Sequence, residues 1–241
     1  MMRHAAYCGT RGIYGDMETA AKSLIANSQV DKVHFIIEDA EFPNELPDIV
    51  ECHDLSGQRF FDSGGPNMKS GFTYMAMMRI ALCHVLPDVD YVLSLDADTV
   101  CVNDITGVWD LPVYSSYFSA VPEWHRSRDG LQYCNMGVVL YNLQALRDGK
   151  ADECIDVLNR RGFTWVEQDI GNYLCQGRIC EMPHEYNANH WTVNGFFQLP
   201  SQSRKNIARI VHYAGIRDFR GYDEWREYEQ MSWDEVMERH G

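Results

Sequence analysis

The chain has 241 residues, of which 45% are hydrophobic and 12% aromatic, and its formal net charge at pH 7 is −14. This length and composition are typical of one packed domain, and no linker or internal repeat divides residues 1–241. The acidic charge argues against a broad basic face for nucleic acid or a membrane surface, although a divalent cation held by acidic residues could still neutralise a bound diphosphate.

Predicted strands and helices alternate along the chain. Strands are predicted at residues 4–8, 33–37, 49–53, 91–95, 118–121, 137–141, 179–182 and 210–213. Helices are predicted at 18–27, 70–86, 143–160 and 166–175, the second as one long buried helix closed by Pro87. This alternation predicts an α/β fold, with a mainly parallel central sheet and helices on both faces. Residues 222–241 carry no motif, and we assign them to the same domain as a helical tail.

The strongest candidate site follows the apolar strand at 91–95, where the chain continues as Asp96-Ala97-Asp98. Ligands of open α/β sheets bind beyond the carboxyl ends of the strands. Two carboxylates two residues apart on an extended segment point to the same side and can reach one hard cation, while the small Ala97 leaves room for a phosphate. The motif therefore predicts a site for Mg²⁺ or Mn²⁺.

The same residues also fit the active site of a phosphatase. Residues 93–100 also resemble the motif of haloacid-dehalogenase-like phosphatases, in which Asp96 would be the nucleophile and Asp98 the general acid/base. That motif normally follows the first strand of the domain, whereas several predicted elements come first here, and no Asp-Asp pair follows Asp98.

Five motifs, in order, resemble glycosyltransferase family 8, the retaining family that includes glycogenin and bacterial lipopolysaccharide galactosyltransferases. They are Arg79 followed by D-A-D-T at 96–99, Y-C-N-M-G at 133–137, E-Q-D-I-G-N at 167–172, P-H-E-Y-N at 183–187 and H-Y-A-G at 212–215. The resemblance implies a GT-A, Rossmann-like fold. It also implies metal-dependent transfer of a hexose, glucose or galactose, from a nucleoside-diphosphate sugar, expected to be a UDP-sugar. Besides this transferase and the phosphatase, a non-catalytic nucleotide-sugar binder is a third alternative.

The resemblance implies a role for each matched residue. Asp96, Asp98 and His212 would bind Mn²⁺ or Mg²⁺, the imidazole being a ligand that Mn²⁺ accepts more readily. The metal would neutralise the diphosphate that leaves the sugar. Arg79 would place a positive charge on the phosphate or sugar side.

Four further residues would surround the donor sugar. Asn135 and Gly137 would offer an amide and an uncluttered backbone. Gln168 would lie on the β-face of the sugar. Because a neutral amide is a poor nucleophile, it would position and stabilise the reacting sugar rather than attack it. Glu167 replaces the family's usual Asp and would accept hydrogen bonds from sugar hydroxyls.

The nucleotide contacts depart most from the family pattern. In the loop after the first strand, Thr10 and Tyr14 would lie near the nucleobase, but the acidic base contact of the family is missing. Gly215 matches the family motif near the diphosphate, whereas the lysine that follows in the family is absent. Arg217 or Arg220 could supply that charge instead.

The sequence leaves the acceptor open among saccharides, proteins and modified bases. Trp124, Trp165 and Trp191 could stack on an acceptor sugar or be buried in the core. The amino terminus lacks the apolar core of a secretory signal, and no apolar run could span a membrane. We therefore expect a cytoplasmic protein without a transmembrane segment, and its eight cysteines to be reduced thiols.

Overall fold

The computed structural model describes residues 2–68, 73–126 and 131–240. Its strands are β1 (His4–Gly9), β2 (Lys32–Ile37), β3 (Val50–Asp54), β4 (Tyr91–Leu95), β5 (Thr99–Cys101), β6 (Phe118–Pro122), β7 (Cys134–Asn142), β8 (Ile179–Glu181) and β9 (Ile210–His212). Seven of them form one sheet in the order β3-β2-β1-β4-β7-β6-β8, and β5 pairs with β9 in a separate sheet of two strands. All eight predicted strands are present, and β5 was not predicted.

Strand direction in the large sheet changes at β7. The pairs β3-β2, β2-β1 and β1-β4 are parallel, as is the pair β6-β8. Strand β7 runs antiparallel to both of its neighbours, β4 and β6. The sheet is thus mainly parallel, as predicted. The reversal also places the amino-terminal end of β7 beside the carboxyl end of β4, where Leu95 pairs with Val138.

The helices are α1 (Tyr14–Ala26), α2 (Tyr74–Met77), α3 (Leu82–Val85), α4 (Leu143–Leu146), α5 (Lys150–Arg160), α6 (Val166–Leu174), α7 (Ser201–Ile207), α8 (Asp223–Glu229) and α9 (Trp233–His240). Two buried apolar clusters cover the two faces of the large sheet. One contains residues of α1, α8 and α9, and the other contains residues of α2 to α6. Alternate side chains of the central strands enter opposite clusters, as with Tyr7 and Ala6 of β1. The predicted α/β fold with helices on both faces is confirmed.

The predicted helix at 70–86 is wrong as a single element. Residues 70–72 of this prediction lie outside the described part of the chain, and residues 73–86 contain two short helices, α2 and α3. Between these helices the amides of Ile80 and Ala81 bond to carbonyls three residues back rather than four. The chain is therefore wound more tightly there, as in a 3₁₀ turn. Arg79 lies in this turn, and its side chain points into the protein interior.

The predicted helix at 143–160 is also divided. Gly149 separates α4 from α5, and its φ of 103° lies in the left-handed region that favours glycine. The described residues 222–240 contain α8 and α9, which pack against α1 and bury Trp225 completely. Burial of a large apolar side chain stabilises a fold by about 1.5–3 kcal/mol.

No helix in the described part of the chain has both the length and the apolar character needed to cross a membrane. The eight cysteines all lie within the described residues, and none of them forms a disulfide.

Candidate functional site

Two carboxylates and one imidazole meet where β4 ends. Asp96 and Asp98 follow β4, and the next strand, β5, pairs with β9 so that Thr99 lies opposite His212. This pairing places Nε2 of His212 3.4 Å from Oδ2 of Asp96 and 3.3 Å from Oδ1 of Asp98. The structure thus brings together the three predicted metal ligands, and the unpredicted strand β5 is the reason.

Asp96, Asp98 and His212, which we call the candidate metal centre, fit a divalent cation. One potential ligand atom from each lies within 4.8 Å of the other two. Adjacent ligands of an octahedral ion at about 2.1 Å lie about 3 Å apart, close to the nitrogen–oxygen separations seen here. Burial opposes ionisation of Asp98, but the neighbouring imidazole and its hydrogen bond outweigh that effect and hold the pKa of this carboxyl below its usual value. An ionised carboxylate is the form that binds a metal.

The side-chain amide of Asn187 orients the ring of His212 from the side opposite the two carboxylates. Its Nδ1 lies 2.9 Å from Oδ1 of Asn187, the distance of an N–H donating to a carbonyl oxygen. With the proton on Nδ1, the lone pair of Nε2 faces the two carboxylates. Asn189 donates to the same Oδ1 at 2.9 Å, which fixes the orientation of the Asn187 amide. His212 itself is buried, so its position has little freedom.

Gly137 is required by this arrangement. A Cβ at this position would overlap the imidazole of His212 and lie 2.8 Å from Oδ2 of Asp96. The pairing of β6 with β7 also shifts here, from Ala120 opposite Val139 to Val121 opposite Asn135. Residues 136–138 of β7 therefore do not pair with β6, and the carbonyl of Gly137 accepts a hydrogen bond from the amide of Asp96 at 2.8 Å.

Arg79 lies behind the centre as a buried cation. Its guanidinium contacts Oδ1 of Asp96 and donates to the carbonyl of Met136. It also lies 3.7 Å from Oε1 of Glu167, whose pKa is raised by burial although the arginine opposes that shift. The prediction placed Arg79 on the phosphate or sugar side, whereas the structure places it against the carboxylates. Its charge compensates theirs.

Both ends of the Gln168 amide are hydrogen-bonded. Oε1 accepts from the amide of Met136 at 3.1 Å, and Nε2 donates to Oε1 of Glu123 at 3.2 Å. Asn135 donates to the same Glu123 oxygen at 3.0 Å and, through its own oxygen, accepts from Asn187 at 2.9 Å. A continuous network of hydrogen bonds therefore joins Gln168 to the amide that orients His212.

Sequence reasoning missed Glu123 and Val166. Glu123 is 2% exposed, lines the cleft and lies directly after β6. Its place at the carboxyl end of a predicted strand was a signal that could have identified it. Val166 has a φ of 24°, a strained conformation for a β-branched residue, and it immediately precedes Glu167. Strain of this kind often occurs at functional sites, but no sequence pattern indicates it.

Most of the predicted site residues line one cleft. Those that line it are Asp96, Asp98, Asn135, Gly137, Glu167, Gln168, His212 and Gly215. Trp165 and Trp191 line the same cleft, and Trp124 is 57% exposed. Trp165 and Trp191 therefore form an aromatic wall of the cleft, and none of the three tryptophans is part of the core.

Other predicted residues do not line this cleft, and among them are Thr10, Ala97 and Arg217. Tyr14 is only 2% exposed, packs on Phe42 and donates to Asp39 at 2.8 Å, so its ring cannot stack on a base in this conformation. The prediction for Tyr14 therefore does not fit the observed packing.

The two arginines proposed for the diphosphate differ in their surroundings. Arg220 is paired with Asp16 through two hydrogen bonds of 2.8 and 2.5 Å. Arg217 is exposed and follows Gly215, which lines the cleft. Of the two, Arg217 is the one whose charge is available to a ligand.

Sequence comparison places the chain in a known family. The profile of glycosyl transferase family 8 matches residues 6–217. Lipopolysaccharide 1,2-glucosyltransferase of Escherichia coli (strain K12) is 24% identical over 163 residues, which cover 60% of this chain and 48% of that protein. Glycosyltransferase GlyE of Streptococcus pneumoniae serotype 4 (strain ATCC BAA-334 / TIGR4) is 22% identical, over 98% of this chain and 63% of GlyE. The chain thus spans between about half and two thirds of these relatives.

Solved structures share the fold. The crystal structure of an active-site mutant of LgtC superposes with a TM-score of 0.71 at 19% identity, over 97% of this chain and 99% of LgtC. The crystal structure of GlyE from S. pneumoniae TIGR4 gives a TM-score of 0.72 at 19% identity, over 99% of this chain and 62% of GlyE. These similarities confirm the predicted GT-A fold. Because the family profile matches most of the chain and all five motifs lie within or at the edge of the matched region, this chain belongs to glycosyl transferase family 8.

Proposed function

We propose that the chain is a metal-dependent, retaining glycosyltransferase that moves a glucose or galactose residue from a nucleoside-diphosphate sugar, with a UDP-sugar as the expected donor. The observation that carries this proposal is the meeting of Asp96, Asp98 and His212 in one cleft with Gln168. Family membership supports it. A phosphatase with Asp96 as nucleophile is disfavoured, because the profile that matches residues 6–217 is that of a glycosyltransferase family.

Asp96, Asp98 and His212 would hold Mn²⁺ or Mg²⁺. The bound metal would act as a Lewis acid that stabilises the negative charge developing on the diphosphate as the sugar leaves. Arg79 pairs with Asp96 from the interior side and would hold this ligand in place. Arg217, exposed beside the cleft, is our proposed contact for the diphosphate, in place of the lysine that the family pattern leads us to expect.

Gln168 would position the donor sugar rather than attack it. An amide is a poor nucleophile, and both polar ends of this one are already hydrogen-bonded. We therefore infer that the leaving group departs and the acceptor attacks on the same face of the sugar, which retains the anomeric configuration. Glu167 and Asn135, which also line the cleft, would hydrogen-bond to sugar hydroxyls.

A saccharide is our proposed acceptor. Trp165 and Trp191 line the cleft, and the ring of His125 stacks on Trp191 with centroids 4.8 Å apart. Flat aromatic surfaces suit the apolar faces of sugar rings, while carboxylates such as Glu123 suit their hydroxyls.

The test is turnover of a panel of nucleotide sugars in the presence of Mn²⁺, measured as release of the nucleoside diphosphate, with simple saccharides as acceptors. We expect one donor to be turned over and EDTA to stop the reaction. Retention would be read from the anomeric coupling constant of the product. Mn²⁺-dependent nucleotide binding without turnover of any donor would instead support the non-catalytic binder.

A pair of variants isolates the metal centre. Asp98→Asn should abolish metal-dependent turnover while the circular dichroism spectrum stays unchanged, because this partly exposed ligand contributes little to the core. Asp88→Asn makes the same chemical change at an exposed turn and should leave turnover unaltered. Equal activity of both variants would refute the assignment of Asp98.

A further inference from the structure

A second group of metal-ligating side chains lies on strands β1 to β3, on the far side of β1 from the centre described above. It consists of His4, His34, Glu51 and His53. His34 of β2 pairs directly with Glu51 of β3, and Ile36 pairs with His53. Because paired residues and residues two apart share a face of a sheet, these side chains project from the same face. None of them contributes to the cleft.

The ring nitrogens are close enough to share one ion. Nδ1 of His34 lies 3.0 Å from Nε2 of His53, and Oε1 of Glu51 lies 3.9 Å from the same Nε2. A potential ligand atom from each of the three residues lies within 4.8 Å of the others. Two imidazoles bound to tetrahedral Zn²⁺ at about 2.0–2.1 Å have nitrogens about 3.3 Å apart, so the rings need to separate by only a few tenths of an ångström.

The donor atoms of the three side chains suit a transition metal. Neutral imidazole with one carboxylate is a donor set typical of Zn²⁺ sites. Glu51, with a side chain 53% exposed, leaves the group open to solvent and to an entering ion.

His4 supplies the supporting contact that a metal-bound histidine usually has. Its Nδ1 lies 2.9 Å from Nε2 of His34, the nitrogen that faces away from His53. If the lone pair of His34 Nδ1 points to a metal, its Nε2–H donates to His4. A partner of this kind fixes the tautomer and the orientation of the ligand.

We propose that His34, Glu51 and His53 form a transition-metal site, for Zn²⁺ or an ion of similar preference, that ties the edge strand β3 to β2. Strand β3 is the last strand of the sheet on its side and pairs only with β2 among the described residues. The ligands from the two strands come together only in the folded state. Binding of the ion therefore stabilises the pairing of β3 with β2. This site is separate from the proposed catalytic function.

The test uses the full chain carrying Asp98→Ala, which disables the first centre, without a polyhistidine tag that would bind the same metals. After treatment with EDTA and desalting, the protein is titrated with Co²⁺ and with Zn²⁺. We expect one equivalent of Co²⁺ to produce the visible absorption of a four-coordinate ion, one equivalent of Zn²⁺ to displace it, and Zn²⁺ to raise the melting temperature. Absence of saturable binding would overturn the proposal.

Variants in the same background assign the ligands. His53→Gln and, separately, Glu51→Gln should weaken Zn²⁺ binding, the first by at least about a hundredfold, and His4→Phe should weaken it by about 10–100-fold. His84→Gln is the matched control, because that histidine lies on α3 and pairs with Asp152 at 3.0 Å. Unchanged binding in both Glu51→Gln and His53→Gln would refute the site. Glu51 is exposed, so its variant tests the site even if His53→Gln folds poorly.

Discussion

The metal centre after β4 and the segment after β1 were both predicted to bind the donor. The predicted side chains converge in the first region but not in the second. At the centre, Asp96, Asp98 and His212 lie together around a common space. In the loop, the ring of Tyr14 is buried and its hydroxyl is held by Asp39, which Arg11 also engages. Hydrogen bonds from these two residues hold the pKa of Asp39 below its usual value.

The difference follows from how each region is held. The centre depends on the register of β5 with β9 and of β4 with β7, and one slip would turn every side chain to the other face. The residues after β1 are held by no such register, and Tyr14, the first residue of α1, is placed instead by its contacts with Phe42 and Asp39. A motif match is therefore a better guide to position at the end of a paired strand than in a loop.

The largest effect is expected from Gly137→Ala. The added methyl group would displace His212 or Asp96, and losing the metal centre should reduce turnover by at least about a thousandfold, or about 4 kcal/mol of transition-state stabilisation. Turnover and Mn²⁺ affinity are the measurements. Gly57→Ala is the matched control, since a Cβ there would meet no atom within 4 Å. Normal turnover of Gly137→Ala would show that the centre does not need this close approach.

The next effect tests the buried charge behind the centre. Arg79→Met leaves the carboxylates of Asp96 and Glu167 without their cation and should lower the free energy of unfolding by about 3 kcal/mol, measured by urea denaturation. Arg160→Met removes an exposed pair with Asp156 and should cost less than about 1 kcal/mol. Similar losses of stability in both variants would mean that the buried ion pairs of Arg79 contribute no more than an exposed pair.

A smaller effect is expected at Asn187. Asn187→Ala removes the acceptor for Nδ1 of His212, so Mn²⁺ affinity should fall by about 10–100-fold, measured by calorimetry. Asn206→Ala, a change at an exposed position on α7, should leave affinity unchanged. If the metal binds equally well to both variants, the amide does not orient the imidazole.

The smallest effect concerns the loop. Tyr14→Phe removes hydrogen bonds to Asp39 and to the amide of Glu38 and should lower the free energy of unfolding by about 1 kcal/mol, with the KM for the donor unchanged. Tyr114→Phe, at a side chain 74% exposed, should change neither quantity. A raised donor KM with unchanged stability would restore the predicted role of Tyr14 at the nucleobase.

Much of the fold could be predicted because its signals are local. Apolar runs of strand length, such as 33–37 and 91–95, sit where strands β2 and β4 are observed. The long helix predicted from the spacing of apolar residues at 70–86 failed, because periodicity reports burial but not the tight turn that directs Arg79 inward. Strand β5 was missed because it begins directly after Asp98 and becomes a strand only through its pairing with the distant β9.

The sequence by itself determined the family and the chemical identity of the centre, because carboxylates, an imidazole and an amide in family order are local features that need no coordinates. Tertiary structure decided what those groups face. The antiparallel direction of β7 places Gly137 against His212, and the pairing of Thr99 with His212 joins residues over a hundred positions apart. Such contacts depend on strand register between distant segments, which no local pattern encodes.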